Sequence, residues 1–204
     1  MSVLAPPIPP DTQTPPPARA QGRAWKWTLA QFNEMWERGY FEGRRVEFVF
    51  GEVIDMGKQG WPHVAALSLL IEALRRAFPT GYWIYDQKPF PVAGSEPEPD
   101  AAIVPGSPRD YTSHPTTAVL VVEVSDTTLN YDLTTKAELY ATAGITDYWV
   151  LDVSARELHV FRDPQTNAAL NVTTYRAHTT HAANEAVSPL AAPNASISVA
   201  DLLP

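Results

Sequence analysis

Three ionisable residues stand among apolar neighbours where a packed core is expected. Glu123 interrupts AVLVVEV, an almost unbroken aliphatic run. Asp100 opens the apolar segment DAAIV, and Lys136 lies within a segment patterned as a helix. Two close carboxylates repel unless a positive charge lies between them, and Mg²⁺ favours carboxylate oxygens as ligands. The three residue types together predict a divalent-cation site with a lysine beside it.

The periodicity of each segment directs these side chains to one place. Side chains alternate along a strand, so Asp100 and Glu123 lie side by side near their strand ends if the two strands are neighbours. In the following helix, Leu133, Lys136 and Tyr140 are spaced i, i+3, i+7, which sets Lys136 on or beside the apolar stripe. An inward lysine is costly unless it is paired. The carboxylates on the sheet are the expected partners.

Each residue also has an ordinary structural interpretation. A single acid at a strand end is more often a solvated terminus, and a single lysine on a helix usually lies at the surface. Asp132 and Lys136 could form a simple i,i+4 pair. The joint pattern favours a functional site, because both acids interrupt apolar strands and the lysine faces inward.

The elements that must position these residues alternate between helices and strands. The first helix starts at Thr28, where Gln31 completes a capping-box pattern, and ends near Gly39. Two short strands meet at a turn at Gly51, and a second helix starts near Pro62.

Further strands follow in the second half of the chain. The predicted strands are GYWIYDQ, KPFPV, PEPDAAIV, AVLVVEV, DYWVLDV and ELHVFRD, with the helix YDLTTKAELYATAG after the fourth and ALNVTTYRA as one more edge strand. SPLAAPNASISVADLLP is predicted to be mostly irregular. This order predicts an α/β fold, a mixed sheet with helices packed against it.

Length and composition predict one domain with a tail. Of 204 residues, 45% are hydrophobic and six are Trp, which is ample for a core. Residues 1–22 are Pro-rich, which predicts a disordered tail, and residues 23–204 are predicted to form a single domain. The absence of Cys excludes disulfides and thiolate metal sites.

Charge and hydropathy limit the partners. A net charge of −8 argues against broad nonspecific binding to nucleic acid, although a local basic groove is compatible with it. No apolar run approaches the roughly 20 residues that span a bilayer, and the N-terminus lacks the pattern of a signal peptide. We therefore expect no membrane association and a cytoplasmic location.

The ordered set of motifs resembles a known group of enzymes. PEPDAAIV, VVEVS and YDLTTKAELYATAGITDYWVLD are similar to the PD-(D/E)XK nuclease superfamily, and more closely to its restriction-endonuclease branch called the Uma-two family. RVEFVFGEVIDM and WPHVAALSLL resemble further segments of that branch. The resemblance covers about Trp27 to Phe161 and extends weakly to the C-terminal segment. It implies a restriction-endonuclease-like core.

The resemblance also implies roles for individual residues. Asp100 and Glu123 would bind the metal, and Glu47 would be an upstream acid that helps to hold it or its waters. The superfamily's usual lysine, two positions after the second acid, is replaced here by Ser125. In the Uma-two branch the lysine lies on the following helix, a position that Lys136 fits.

Supporting residues and chemistry follow from the same resemblance. His63 would be a nearby polar contact, although a lone His at a helix start is more often a cap, and Asp132 and Tyr140 would position Lys136. The implied activity is Mg²⁺- or Mn²⁺-dependent hydrolysis of DNA to 5′-phosphate ends. We also expect a homodimer, because cutting two strands suits two-fold symmetry.

Two other interpretations stay open at this level. The chain could be an inactive nuclease fold kept as a nucleic-acid or protein interaction module, which the acidic charge and the missing local lysine favour. It could also be a hydrolase of another kind with paired carboxylates, such as a glycosidase. An inward lysine beside the acids suits phosphate chemistry better. The His178 and His181 pair is predicted to lie on the surface.

Overall fold

A computed structural model of the chain describes residues 24–169 and 172–204. The predicted disordered tail, residues 1–22, lies outside the described residues, and so does residue 23, where the predicted domain begins.

Helices and strands alternate as the sequence predicts. The helices are α1 (Leu29–Glu37), α2 (Trp61–Ala77), α3 (Leu129–Tyr131) and α4 (Ala137–Thr142), with a π-helical segment, Asp132–Lys136, between the last two. The strands are β1 (Val46–Val49), β2 (Glu52–Asp55), β3 (Tyr82–Tyr85), β4 (Ala101–Pro105), β5 (Leu120–Ser125), β6 (Asp147–Asp152), β7 (Glu157–Asn167), β8 (Val172–Ala182), β9 (Ala186–Val187) and β10 (Ile197–Ser198). None of the described helices is long and apolar enough to cross a membrane.

Six strands form the central mixed sheet, in the order β3-β4-β5-β6-β7-β8. The pair β5–β6 is parallel and the other pairs are antiparallel. A parallel pair needs a crossover connection, and the helical stretch from α3 to α4 supplies it. This connection carries Lys136 across the face of the sheet on which Glu123 lies.

Local signals set the ends of the first elements. Thr28 caps α1, where its Oγ1 accepts from Gln31 N at 3.2 Å while Gln31 Oε1 accepts from Thr28 N at 3.0 Å. Strands β1 and β2 form an antiparallel hairpin about Gly51, whose φ of 81° suits glycine. An isolated bridge between Phe48 and Glu96 ties this hairpin to the rest of the chain.

The core has two parts, one on each face of the sheet. On one face α2 packs its buried residues against the sheet; they include Ala66, Leu70, Ala73 and Leu74. On the other face, Leu139 and Tyr140 of α4 pack with Val121, Tyr148 and Val150. Both faces of β5 and β6 are therefore covered, which explains their continuous apolarity.

Two predicted elements differ from the structure. KPFPV forms only an isolated bridge from Val92 to Ser95, because Pro89 and Pro91 lack the backbone N–H that a strand ladder requires. The C-terminal segment is more ordered than predicted. It contributes β10 and the 3₁₀ turn Val199–Leu202, and it buries Leu202 and Leu203 in the core that contains the α2 residues.

The predicted helix YDLTTKAELYATAG exists but is not uniform. A π-helical turn, Asp132–Lys136, interrupts it, and both end residues of that turn are buried. A π turn inserts one residue into the helical repeat, so it rotates the following side chains relative to a regular α-helix. The turn that bears Lys136 is therefore a local departure from the regular α-helix that the spacing implied.

Candidate active site

Asp100 and Glu123 lie side by side at the edge where β4 begins and β5 ends. Ala101 pairs with Val122 in the antiparallel ladder, so the residue before β4 is adjacent to Glu123. Asp100 Oδ2 accepts from Val124 N at 2.8 Å, and Asp100 N donates to Glu123 Oε2 at 3.3 Å. Backbone hydrogen bonds from a rigid central strand thus hold both carboxylates in place.

Lys136 lies between two glutamates in the protein interior. Its Nζ donates to Glu47 Oε1 and to Glu123 Oε1, each at 2.8 Å. The exposed fractions of Lys136, Glu47 and Glu123 are 1%, 0% and 4%. Lys136 is therefore neither a surface lysine nor an i,i+4 partner of Asp132. An ion pair buried this deeply is retained only when its charges are matched and hydrogen-bonded.

Tyr140 completes the surroundings of Glu123. The Tyr140 hydroxyl donates to Glu123 Oε1 at 2.7 Å, so this oxygen accepts from both Tyr140 and Lys136. Lys136 and Tyr140 are four residues apart on one helical face, which explains how one helix supplies both donors.

Burial and neighbouring charge shift the titration of this group. Burial raises the pKa of Glu123 to about 8, against the opposing effect of the Lys136 ammonium, and the nearby Asp100, Asp132 and Glu47 carboxylates raise it further. Burial alone would lower the pKa of Lys136, but the adjacent Glu123 and Glu47 carboxylates hold it well above its usual range. The lysine is therefore a fixed positive charge, while Glu123 can hold a proton near neutral pH.

Glu47 has one oxygen engaged and one free. Its Oε1 accepts from Lys136 and also from Glu98 N at 3.1 Å. Its Oε2 is buried and accepts no hydrogen bond from any residue in the described ranges. Glu47 also lines a cavity, and a buried acceptor without a partner is unusual in a folded protein.

Asp100 is surrounded by donors. His63 Nε2 lies 3.1 Å from its Oδ2, and Gln87 Nε2 donates to its Oδ1 at 3.1 Å. Burial raises the pKa of Asp100, but the His63 contact and the hydrogen bonds from Val124 N and Gln87 outweigh that effect and lower the pKa overall. His63 is thus a direct partner of a site carboxylate in addition to being a first-turn residue of α2.

Gln87 is a site residue that the sequence interpretation missed. The β3–β4 ladder ends where Tyr85 pairs with Ala102, and beyond it Gln87 N donates to the Pro99 carbonyl at 3.0 Å, which places Gln87 beside Asp100. Pairing GYWIYDQ with DAAIV in antiparallel register would have found it. Gln87 has a φ of 46°, a left-handed conformation that non-glycine residues adopt at a cost. The residue with this unusual backbone conformation is thus the one whose side chain donates to Asp100.

Asp132 is buried at the first position of the π turn. Its Oδ2 accepts from Thr128 Oγ1 at 2.6 Å, and its backbone carbonyl accepts from Tyr148 OH at 2.9 Å. Burial raises its pKa, against the Lys136 charge and the Thr128 hydrogen bond. Asp132 therefore anchors the turn that carries Lys136 instead of pairing with the lysine directly.

All seven predicted site residues occur in this region, and six of them line a cavity of about 180 Å³; Tyr140 lies behind Glu123. The carboxylates of the lining are Glu47, Asp100, Glu123, Asp126 and Asp132, and its basic side chains include Arg45, Lys58 and Lys136. The predicted surface histidines, His178 and His181, lie on β8 and do not line this cavity.

The carboxylate oxygens of the site suit a hard cation, although the Lys136 ammonium lies between two of the carboxylates. Among residues 24–169 and 172–204, no three acidic or imidazole side chains surround one point closely enough to hold a metal ion as they stand. Lys136 lies between Glu47 and Glu123, where it neutralises them. The free Glu47 Oε2 and the adjacent Asp100 and Glu123 carboxylates nevertheless provide the oxygen donors that Mg²⁺ prefers.

Comparison with known proteins identifies the family and the fold of the chain. A family model described as Uma2, "putative restriction endonuclease", matches residues 29–200. The crystal structure of "a putative nuclease belonging to DUF820" from Anabaena variabilis ATCC 29413 is similar, with a TM-score of 0.63 and 14% sequence identity, over 86% of this chain and 96% of that chain. No curated protein matches the chain. The predicted family and the restriction-endonuclease-like fold are therefore confirmed.

Proposed function

Because the chain belongs to the Uma2 family, described as "putative restriction endonuclease", we propose that it is a metal-dependent endonuclease that hydrolyses phosphodiester bonds in DNA. The observation that carries this proposal is the buried contact of Lys136 with Glu47 and Glu123 beside Asp100, at the wall of one cavity. Such a grouping combines oxygen ligands for a cation with a fixed positive charge next to them.

Asp100, Glu123 and Glu47 would hold Mg²⁺ or Mn²⁺. A bound divalent cation supplies charge neutralisation on the phosphate and lowers the pKa of a water. The chain's own contribution is positional. Val124 N, His63 and Gln87 fix the Asp100 carboxylate, and Tyr140 fixes that of Glu123.

Lys136 would act on the transition state. Its ammonium is held by two carboxylates and carries a fixed charge on a side chain that is almost fully buried. Preorganised charge of this kind stabilises the negative charge that develops on a phosphoryl group. Lys136 would also orient the attacking water.

The experiment compares cleavage and metal binding in matched variants. Asp100→Asn and Glu123→Gln keep side-chain volume but remove the ligand charge. Asp152→Asn is the control, because Asp152 is also buried at a strand end but bonds to Ala155 N outside the cavity. Each protein is titrated calorimetrically with Mg²⁺ and Mn²⁺ and assayed on supercoiled plasmid and on circular single-stranded DNA.

We expect the wild type and Asp152→Asn to bind metal and cut circular DNA, and the two site variants to do neither. Folded wild-type protein that binds no metal and cuts no nucleic acid would refute the nuclease proposal. The inactive interaction module would then be favoured, and its supporting observation is that Lys136 already occupies the space between two of the carboxylates.

We also propose that the protein is cytoplasmic and that it forms a homodimer. Size-exclusion chromatography with light scattering, run with and without DNA, tests the homodimer.

A further inference from the structure

The segment between β2 and α2 forms part of the cavity mouth. Met56, Lys58, Gln59 and Gly60 all line the cavity, and α2 begins at the next residue, Trp61. We call residues 56–61 the rim segment. It is held against the site because His63, in the first turn of α2, contacts Asp100.

Gln59 offers a donor with no acceptor. Its Nε2 is shielded from solvent and has no hydrogen-bond partner among the described residues, although the side chain lines the cavity. A buried amide N–H₂ without a partner is unfavourable unless a ligand supplies the acceptor. Phosphoryl oxygens are strong acceptors, so a phosphate in the cavity would satisfy this group.

The negative charge of the cavity lining means that a bound phosphate needs hydrogen-bond donors to offset repulsion. Five carboxylates line it, and Lys136 is already engaged by two of them. A phosphate that approaches from solvent therefore meets a largely acidic surface. Arg45, Lys58 and Gln59 are donors of the lining that would offset this repulsion.

Trp61 adds an exposed aromatic side chain next to the cavity lining, although it is not itself a lining residue. It exposes 79% of its surface, the largest fraction among the exposed large hydrophobic side chains of the described residues, and it directly follows Gly60. An exposed indole stacks well on nucleobases, whose flat faces all accept such a contact. In an intact duplex both faces of an internal base are covered by its stacked neighbours. The indole can therefore stack only on an unpaired, flipped or terminal base.

We propose that the rim segment grips the substrate, with the Gln59 amide on a phosphoryl oxygen and the Trp61 indole on an unpaired base. The preferred substrate is then single-stranded or locally unpaired DNA. This inference rests on the proposed nuclease function and adds the substrate class to it.

The test measures binding and cleavage side by side. Anisotropy of a fluorescein-labelled 20-mer, single-stranded or in duplex, is recorded with Ca²⁺ in place of Mg²⁺, and cleavage in Mg²⁺ is followed on the same two substrates. The variants are Trp61→Ala, Trp61→Phe and Gln59→Leu. Trp25→Ala is the control, since Trp25 is 73% exposed but, unlike Trp61, is not next in the chain to a residue that lines the cavity.

We expect the wild type to prefer the single strand. Trp61→Ala should lose about tenfold of that affinity, the size typical of one stacked base, while Trp61→Phe and Trp25→Ala stay near the wild type. Gln59→Leu should weaken binding to both substrates, because the phosphate is common to them.

Other outcomes overturn the inference in distinguishable ways. If the wild type cuts DNA but prefers duplex, or if Trp61→Ala behaves as Trp25→Ala does, the rim segment does not select unpaired bases and the nuclease proposal stands. If the wild type neither binds nor cuts either substrate, both proposals fail. Since both tryptophans are exposed, thermal melting should show that their variants fold as the wild type does.

Discussion

Lys136 Nζ lies 2.8 Å from Glu123 Oε1, although the two residues belong to different elements and are separated by 13 positions. The same ammonium contacts Glu47, 89 positions away in the chain. One lysine thus links the β1–β2 hairpin, the central sheet and the crossover helix. The site and the packing of these three elements are consequently interdependent.

Replacing this lysine should affect both stability and cleavage. Lys136→Met keeps most of the side-chain length but leaves Glu47 and Glu123 without their cation, and breaking a buried ion pair in this way costs about 3–5 kcal/mol. We expect a matching loss in the free energy of unfolding by chemical denaturation. Cleavage should fall by at least about 100-fold, the effect of losing one preorganised charge or donor.

The control for this change is Lys88→Met. Lys88 forms a surface ion pair with Asp86 in which both side chains are about half exposed, so its loss should cost less than about 1 kcal/mol. Equal stability losses in the two variants would contradict a stabilising role for the buried ion pairs of Lys136 with Glu47 and Glu123. Full cleavage by Lys136→Met would remove the lysine from the proposed mechanism.

Metal affinity should depend on pH through Glu123. The pKa of this carboxyl is raised to about 8, mainly by burial, so below that pH it carries a proton that a metal must displace. Mg²⁺ affinity should therefore rise with pH by up to about tenfold per unit and level off above pH 8. Asp100 does not contribute to this slope, since its pKa is lowered.

Calorimetric titration at a series of pH values checks this expectation, and repetition in buffers of different ionisation enthalpy counts the protons released. Affinity that is constant from about pH 6 to pH 8 would show that Glu123 is already ionised or is not a ligand. The Asp152→Asn protein should reproduce the wild-type profile, because Asp152 does not line the cavity.

The Tyr140 hydroxyl should influence the same carboxyl. Tyr140→Phe removes the donor 2.7 Å from Glu123 Oε1 and leaves the ring in place, so the cost in stability should be about 1–3 kcal/mol. A donor to the ionised form lowers the pKa of a carboxyl. Its loss should shift the pH midpoint of Mg²⁺ binding upward and reduce cleavage at neutral pH several-fold.

Tyr175→Phe is the matched control, because the Tyr175 hydroxyl donates to the Ile145 carbonyl at 2.7 Å, outside the cavity. It should lower stability without moving the pH midpoint of metal binding. If both variants leave that midpoint unchanged, the Tyr140 hydrogen bond has only a structural role.

The C-terminal segment should be essential to the core. Leu202 is fully buried in the core part that includes the α2 residues, so Leu202→Ala should cost about 2–5 kcal/mol in the free energy of unfolding. Leu190→Ala, in the same segment but with 49% of its side chain exposed, should cost less than about 1 kcal/mol. Denaturant unfolding of both variants measures these free energies. Equal losses of stability would argue against the burial of Leu202 in the core.

Part of this site follows from sequence alone because its signals are local. Strand alternation predicts that Asp100 and Glu123 lie side by side if their strands are neighbours, which β4 and β5 are, and helical spacing predicts that Lys136 faces inward, which its burial confirms. The Thr28 capping box and the turn at Gly51 are also local patterns, and the structure contains both. The resemblance to the nuclease family is also seen in ordered local motifs, and the family model matches residues 29–200.

Other features required the tertiary structure, because they depend on contacts between residues far apart in the chain. No local pattern shows that Glu47 shares Lys136 with Glu123, since the hairpin must first dock beside the sheet. Gln87 becomes a partner of Asp100 only through the β3–β4 register. The π turn at Asp132–Lys136, whose two end residues are both buried, departs from the regular α-helix that the local spacing predicts. Sequence thus determined which residues could do chemistry, and packing decided which of them share one cavity.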